Sequence, residues 1–131
     1  MIDINGWVCI RESFNEEGED EQKLESIIET IKSKIASELD IVNEYYDLRK
    51  VNYSVYLTIT VAHNHKADHV IDFFKWISSI AIGSYGLLYV HDDEDIKRGN
   101  DNRFKVWRMR KGKVDELDDP FLSPIHPEVE E

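Results

Sequence analysis

The chain has a single cysteine, Cys9, in 131 residues. That excludes an intramolecular disulfide and a multi-cysteine zinc site, and it fits a reducing cytoplasm. No run approaches the roughly 18 apolar residues of a membrane-spanning helix. The N-terminus lacks a basic stretch followed by a long apolar block, so no secretory signal is expected. Bases are scarce: 16 Lys and Arg stand against 27 Asp and Glu, a net charge of −11. Binding DNA or RNA through phosphates needs a positive surface, so nucleic acid is not an expected partner. There is no phosphate loop and no dinucleotide fingerprint, and none of the nine serines lies in a nucleophile elbow or an S-x-x-K context. Proline is absent until Pro120.

What is present suffices for one domain. Hydrophobic residues make up 41% of the chain and aromatics 11%, enough for a core. The charge is segregated. Residues 12–21 carry six acids and no base, and residues 115–131 carry seven acids and no Lys or Arg. Asp92, Asp93, Glu94, Asp95 and Asp101 crowd one short stretch, whereas residues 103–113 hold six bases and no acid.

Hydropathy patterning assigns the elements. Ile4, Gly6, Val8 and Ile10 alternate with Asn5, Trp7, Cys9 and Arg11, a strand over 4–11. Gly6 there marks a bulge or a close backbone approach. Leu24, Ile27, Ile28, Ile31, Ile35 and Leu39 recur at threes and fours, a helix over 19–39. A weaker strand over 41–49 carries Val42, Tyr46 and Leu48 on one parity. The clearest strand spans 51–63, with Val51, Tyr53, Val55, Leu57, Ile59, Val61 and His63 on one face. A second helix over 67–82 follows, with Gly83 as its C-terminal glycine. Strands over 85–91 and 103–111 flank an acidic loop, 92–102. Lys111-Gly112-Lys113 reads as a turn into a short final strand, Val114 to Leu117. From about residue 119 the prolines imply an extended tail. The order β-α-β-β-α-β plus one or two strands is the split βαβ pattern. It predicts an α+β two-layer sandwich, a mainly antiparallel sheet with two helices on one face.

Three features bear on chemistry. His63, His65 and His69, with Asp92 as a fourth donor, have a spacing that zinc accepts. A polar strand-to-helix junction with solvated or capping histidines accounts for the same residues, so no metal is assigned. The run Asp92-Asp93-Glu94-Asp95 lacks the register of a calcium loop. It reads as a solvated loop or as a docking surface for a basic partner. Cys9 sits inside a strand and is expected to be packed rather than reactive. Tyr56 falls on the polar parity of its strand, and an exposed aromatic near charge is typical of an interface.

The string Gly83-Ser84-Tyr85-Gly86-Leu87-Leu88-Tyr89-Val90-His91-Asp92-Asp93-Glu94-Asp95 resembles a signature of the immunity protein 7 family of bacterial polymorphic toxin systems. Asn102-Arg103-Phe104-Lys105-Val106-Trp107 and Asp119-Pro120-Phe121-Leu122-Ser123-Pro124 are similar to it as well, as are Asn5-Gly6-Trp7-Val8 and Asn64-His65. The resemblance implies a cytoplasmic protein that binds a toxin domain and blocks it, with no catalytic residue and no cofactor. Many such toxins are nucleases, whose clefts are basic. An acidic protein can occupy such a cleft by charge complementarity. The expected toxin contacts are Asp92, Asp93, Glu94, Asp95 and Asp101, with Tyr56 and His65. Two alternatives remain: a metal-dependent hydrolase using the His63, His65 and His69 cluster with Asp92, and an adaptor module that assembles through an edge strand. The basic segment 103–113 is expected to pair with the acidic loop or to protect an edge strand. The sequence is silent on oligomeric state.

Overall fold

The computed structural model describes residues 1–15, 17–18, 20–39, 44–65 and 67–131. Strand β1 (Ile2–Ile10) leads to helix α1 (Glu21–Glu38), then strands β2 (Glu44–Val51) and β3 (Ser54–His63). Helix α2 (Asp68–Ile80), strand β4 (Tyr85–Asp92) and the hairpin β5 (Lys105–Arg110) and β6 (Lys113–Asp118) follow, with a last helical turn α3 (Ile125–Glu128). One antiparallel sheet runs in the order β2-β3-β1-β4-β5-β6. The first four strands are the expected split βαβ unit: β3 lies between β1 and β2, and β1 between β3 and β4. The β5–β6 hairpin extends the sheet past β4.

Alternation decides which face the helices cover. Ile4, Val8 and Ile10 of β1, Val55, Leu57, Ile59 and Val61 of β3, and Leu88 and Val90 of β4 are all buried on one face. Over them lie Ile28 and Ile31 of α1 and Val70, Phe73, Phe74 and Ile77 of α2. The two helices touch through Lys34, whose Nζ sits 4.6 Å from the Trp76 ring centroid. Asp20 starts α1: its carboxylate accepts the Gln22 and Lys23 amides, each at 3.1 Å, which satisfies two of the donors a helix start leaves open.

The structure moves several sequence-based boundaries. The strand expected over 51–63 is interrupted by a two-residue turn. Val51 ends β2, Asn52 adopts a left-handed φ of 55°, and Tyr53 is 97% exposed at the tip. Asparagine tolerates that conformation better than most residues. The register turns Val51 onto the face opposite Val55, where it is exposed. Val42 lies outside the described residues. Gly83 is not a left-handed helix cap, because Ala81 ends α2 with its amide on Ile77 O. It is glycine because a Cβ there would lie 2.2 Å from the carbonyl carbon and oxygen of Ser13. Gly6 answers to the same cause and not to a bulge. Its pairings to Ile59 and Leu88 are continuous, and a Cβ would meet Leu87 O at 2.4 Å.

Candidate functional site

The expected contact residues fall into two groups at opposite ends of the sheet. Ile2 pairs with His63 on one side and with Asp92 on the other. The end of β3 and the end of β4 therefore lie at the same edge of the fold. His65 follows β3 there and is exposed; the acidic loop leaves β4 there. Tyr56 pairs with Cys9 seven residues back along β3. At about 3.3 Å per residue this places it about 23 Å from that end.

The acidic loop is built rather than loose. Asp92 Oδ1 accepts the Glu94 amide at 3.0 Å, and Asp92 O accepts the Asp95 amide at 3.2 Å. Asn100 is buried and donates from Nδ2 to Asp95 Oδ2 at 2.7 Å, while its Oδ1 accepts Arg103 Nε at 2.8 Å. Arg103 also donates to Arg98 O at 2.9 Å. His91 Nε2 sits 2.7 Å from Asp101 O. The Met1 amino group lies 2.7 Å from Asp93 Oδ1 and 3.2 Å from Glu94 Oε1. The hydrogen bond from that ammonium holds the Asp93 carboxyl below the usual carboxylate range. The Asp101 carboxylate is exposed and makes no hydrogen bond or ion pair among the described residues. Behind the loop, a cavity of about 200 Å³ reaches the start of α2. Its charge is mixed, with Asp68, Asp92 and Asp95 facing Arg98 and Lys105.

The basic hairpin does not pair with the acids of 92–95. Lys105 Nζ is 2.6 Å from Asp118 Oδ1, and Arg108 Nη2 is 3.0 Å from Asp115 Oδ2. Both acids stand on β6, beside β5, so these two bases are paired within the hairpin and not with the loop. Arg103 meets the loop through neutral oxygens only, at Asn100 and Arg98.

Tyr56 belongs to the open face of the sheet, the one without helices. Cys9 pairs with Tyr56 on one side and Tyr85 on the other, and it is buried between them, as its strand position implied. The neighbouring Cys9 thiol raises the Tyr85 hydroxyl above its ordinary range. Trp7 meets Tyr85 edge-on at 5.9 Å between ring centroids. Trp7 is 40% exposed, Tyr85 41% and Tyr45 54%. Sequence reasoning counted these three among the aromatics in excess of a small core but chose only Tyr56 as a contact, although Trp7 stands on the polar parity of β1, as Tyr56 does on β3.

The histidines are regrouped. His63 and His69 converge, but His65 and Asp92 do not join them: Asp92 is on β4, and β1 stands between it and β3. Their common partner is Glu44, at the start of β2, whose side chain is fully buried. Its Oε1 lies 2.9 Å from His63 Nε2 and in close contact with His69 Nε2. Sequence reasoning missed Glu44, although an acid on the same parity as Tyr46 and Leu48 was a signal. Tyr46 is two residues further on, and burial, then the charge of Glu44, pushes its hydroxyl pKa far up.

The segment after β6 folds back along the open face. Asp119, 5% exposed, accepts the Phe121 amide at 2.9 Å, the Leu122 amide at 2.8 Å and Ser123 Oγ at 3.0 Å. Ser123 Oγ accepts the Phe104 amide at 2.9 Å, and Ile125 is buried in α3. Thus Asp119-Pro120-Phe121-Leu122-Ser123-Pro124 is a folding device, with the aspartate gathering the amides that follow it.

No helix among the described residues is long and apolar enough to cross a membrane. Comparison with curated proteins and with solved structures gives no match. A family model described as immunity protein 7 matches residues 1–131. With an open acidic end, an exposed aromatic face and that match over its full length, the chain belongs to the immunity protein 7 family, a family of proteins that act against a toxin.

Proposed function

We propose that this immunity protein neutralises a nuclease-type toxin domain in the cytoplasm by stoichiometric binding, without catalysis. In this reading the end of the sheet bearing loop 92–102 docks on the toxin's basic, phosphate-binding surface. The observation that carries it is the state of that loop. It is held by its own hydrogen bonds, faces solvent, and is not paired with Lys105 or Arg108 of the basic hairpin beside it. A pre-ordered acidic surface meets a basic cleft with little ordering cost and steers association.

Asp92, Asp93, Glu94, Asp95 and Asp101 supply the charge, and His65 lies at the same end. Asp101 and Glu94 are exposed and available for direct pairing, Glu94 in exchange for its contact with the Met1 ammonium, whereas Asp92 and Asp95 chiefly hold the loop. Tyr56 belongs to a second contact area, the open aromatic face, reached by a toxin large enough to wrap from the end of the sheet onto that face.

The experiment takes the C-terminal domain encoded by the neighbouring toxin gene and titrates it with the purified protein. The expected result is a tight 1:1 complex that abolishes toxin activity and weakens with salt. Reversing Asp93, Glu94 and Asp101 together should cut affinity at low salt; unchanged affinity and protection would refute the placement.

A further inference from the structure

Among the described residues, the Glu44 carboxylate meets only the imidazoles of His63 and His69. The Glu44 side chain is 0% exposed, and a buried carboxylate must be neutralised and fully hydrogen-bonded or its cost is several kcal/mol. Among the described residues, Oε2 of Glu44 has no hydrogen-bond partner, and neither has Nε2 of His63, although it lies 2.9 Å from Glu44 Oε1. Both imidazoles aim the same nitrogen at one carboxylate oxygen. The three donor atoms lie within 4.8 Å of one another.

We propose that these three side chains form a binding site for a zinc-class divalent cation, with a fourth position open to solvent beside His69. Two imidazoles and a carboxylate suit such a borderline cation. Tetrahedral zinc with bonds of about 2.0–2.1 Å sets its donors about 3.3 Å apart, so on binding the two ring nitrogens, His69 most of all, must draw back from the carboxylate oxygen. His69 can supply that movement, since its side chain is 43% exposed and stands in the first turn of α2. A dication would neutralise Glu44.

The ligands come from three elements. Glu44 opens the edge strand β2, His63 ends β3, and His69 begins α2. A bound cation therefore clips the edge strand and the second helix together at one corner. This site is independent of the toxin reading, and it differs from the set His63, His65, His69 and Asp92 in both membership and role.

The test uses the tag-free full chain, stripped with chelator and titrated with Zn²⁺ by calorimetry and with Co²⁺ by visible absorption. Expected are one saturable site per chain, intense cobalt bands of low-symmetry coordination, and a rise in melting temperature that chelator reverses. Loss of an outer-shell partner typically weakens metal binding by about 10–100-fold, so His69→Ala, which removes a ligand, should weaken it by on the order of 100-fold or more. His69 is half-exposed, so the variant should still fold, which circular dichroism checks. His65→Ala and His126→Ala should bind as the unmodified chain does. Absence of a saturable site, unchanged binding in His69→Ala, or an equal loss in His65→Ala would overturn the proposal.

Discussion

Tyr89 on β4 donates its hydroxyl hydrogen to Asp119 Oδ1 across 3.1 Å, tying the segment after β6 to the middle of the sheet. Asp119 also accepts two backbone amides and a serine hydroxyl. Removing it leaves those donors without their partner at a site only 5% exposed. Asp119→Ala should therefore cost about 2–3 kcal/mol of unfolding free energy, and Tyr89→Phe about 1 kcal/mol. Urea denaturation measures both, and losses below about 0.5 kcal/mol would show that the tail is not anchored this way.

The same carboxylate predicts a pH dependence. Burial alone would raise the Asp119 pKa, but the Phe121 and Leu122 amides, Ser123 and Tyr89 outweigh it and hold it below its ordinary value. A carboxyl depressed in the folded chain stabilises fully above its unfolded pKa, about 3.9, and loses that contribution as pH falls through the folded value. The stability gap between the unmodified chain and Asp119→Asn should be constant near neutrality and close below about pH 4. A gap that widens on acidification would reverse the assigned sign.

The legible parts of the sequence were those in which one period serves one buried face. The β3 core, Val55 to Val61, follows alternation, and the α2 stripe of Val70, Phe73, Phe74 and Ile77 follows helical spacing. The Asn52-Tyr53 turn was hidden because Val51 and Tyr53 mimic the alternation of the strand that follows. Glu44 was hidden because its partners are 19 and 25 residues away. The string from Gly83 to Asp95 resembles a family signature, and much of it serves folding. Gly83 admits Ser13, Ser84 accepts the Arg11 amide at 3.0 Å, and Tyr89 reaches Asp119. Such long-range uses leave no local pattern.

Tyr46 offers a test of the opposite sign. Its hydroxyl is buried without a hydrogen-bond partner among the described residues, while its ring packs edge-on against Phe73 at 5.3 Å. Tyr46→Phe keeps the ring and removes the unpaired hydroxyl. The variant should be as stable as the unmodified chain or gain up to about 1–2 kcal/mol. A loss above about 1 kcal/mol would mean that the hydroxyl has a partner after all.

Two glycines separate steric need from backbone conformation. At Gly83 an added methyl would meet the Ser13 backbone at 2.2 Å, and neither segment can yield without disturbing the end of β1. Gly99 has a left-handed φ of 72° and open space around it. Gly99→Ala should cost about 1 kcal/mol, the usual penalty for a side chain in that conformation. Gly83→Ala should cost about 3 kcal/mol or more, or prevent folding. Thermal melting of the pair settles the order, and equal penalties would count against the Ser13 contact.

Docking through the acidic end predicts different behaviour for two neighbouring acids. Asp101 has an exposed carboxylate with no partner among the described residues, whereas Asp95 holds the buried Asn100 at 2.7 Å. Asp101→Lys should leave melting unchanged and slow association with the toxin domain by about tenfold at low salt, because rim charges act mainly on the encounter rate. The effect should shrink at high salt, where the screening length falls to about 3 Å at 1 M. Asp95→Ala should instead loosen the loop, lowering the melting temperature and speeding dissociation. Tyr56→Ala, about 23 Å away by strand rise, should change dissociation alone and leave the salt dependence untouched. Stopped-flow association and dissociation rates at two salt concentrations separate the three cases. If Asp101→Lys altered only dissociation, or had the same effect at both salt concentrations, the acidic end would not be the surface that meets the toxin first.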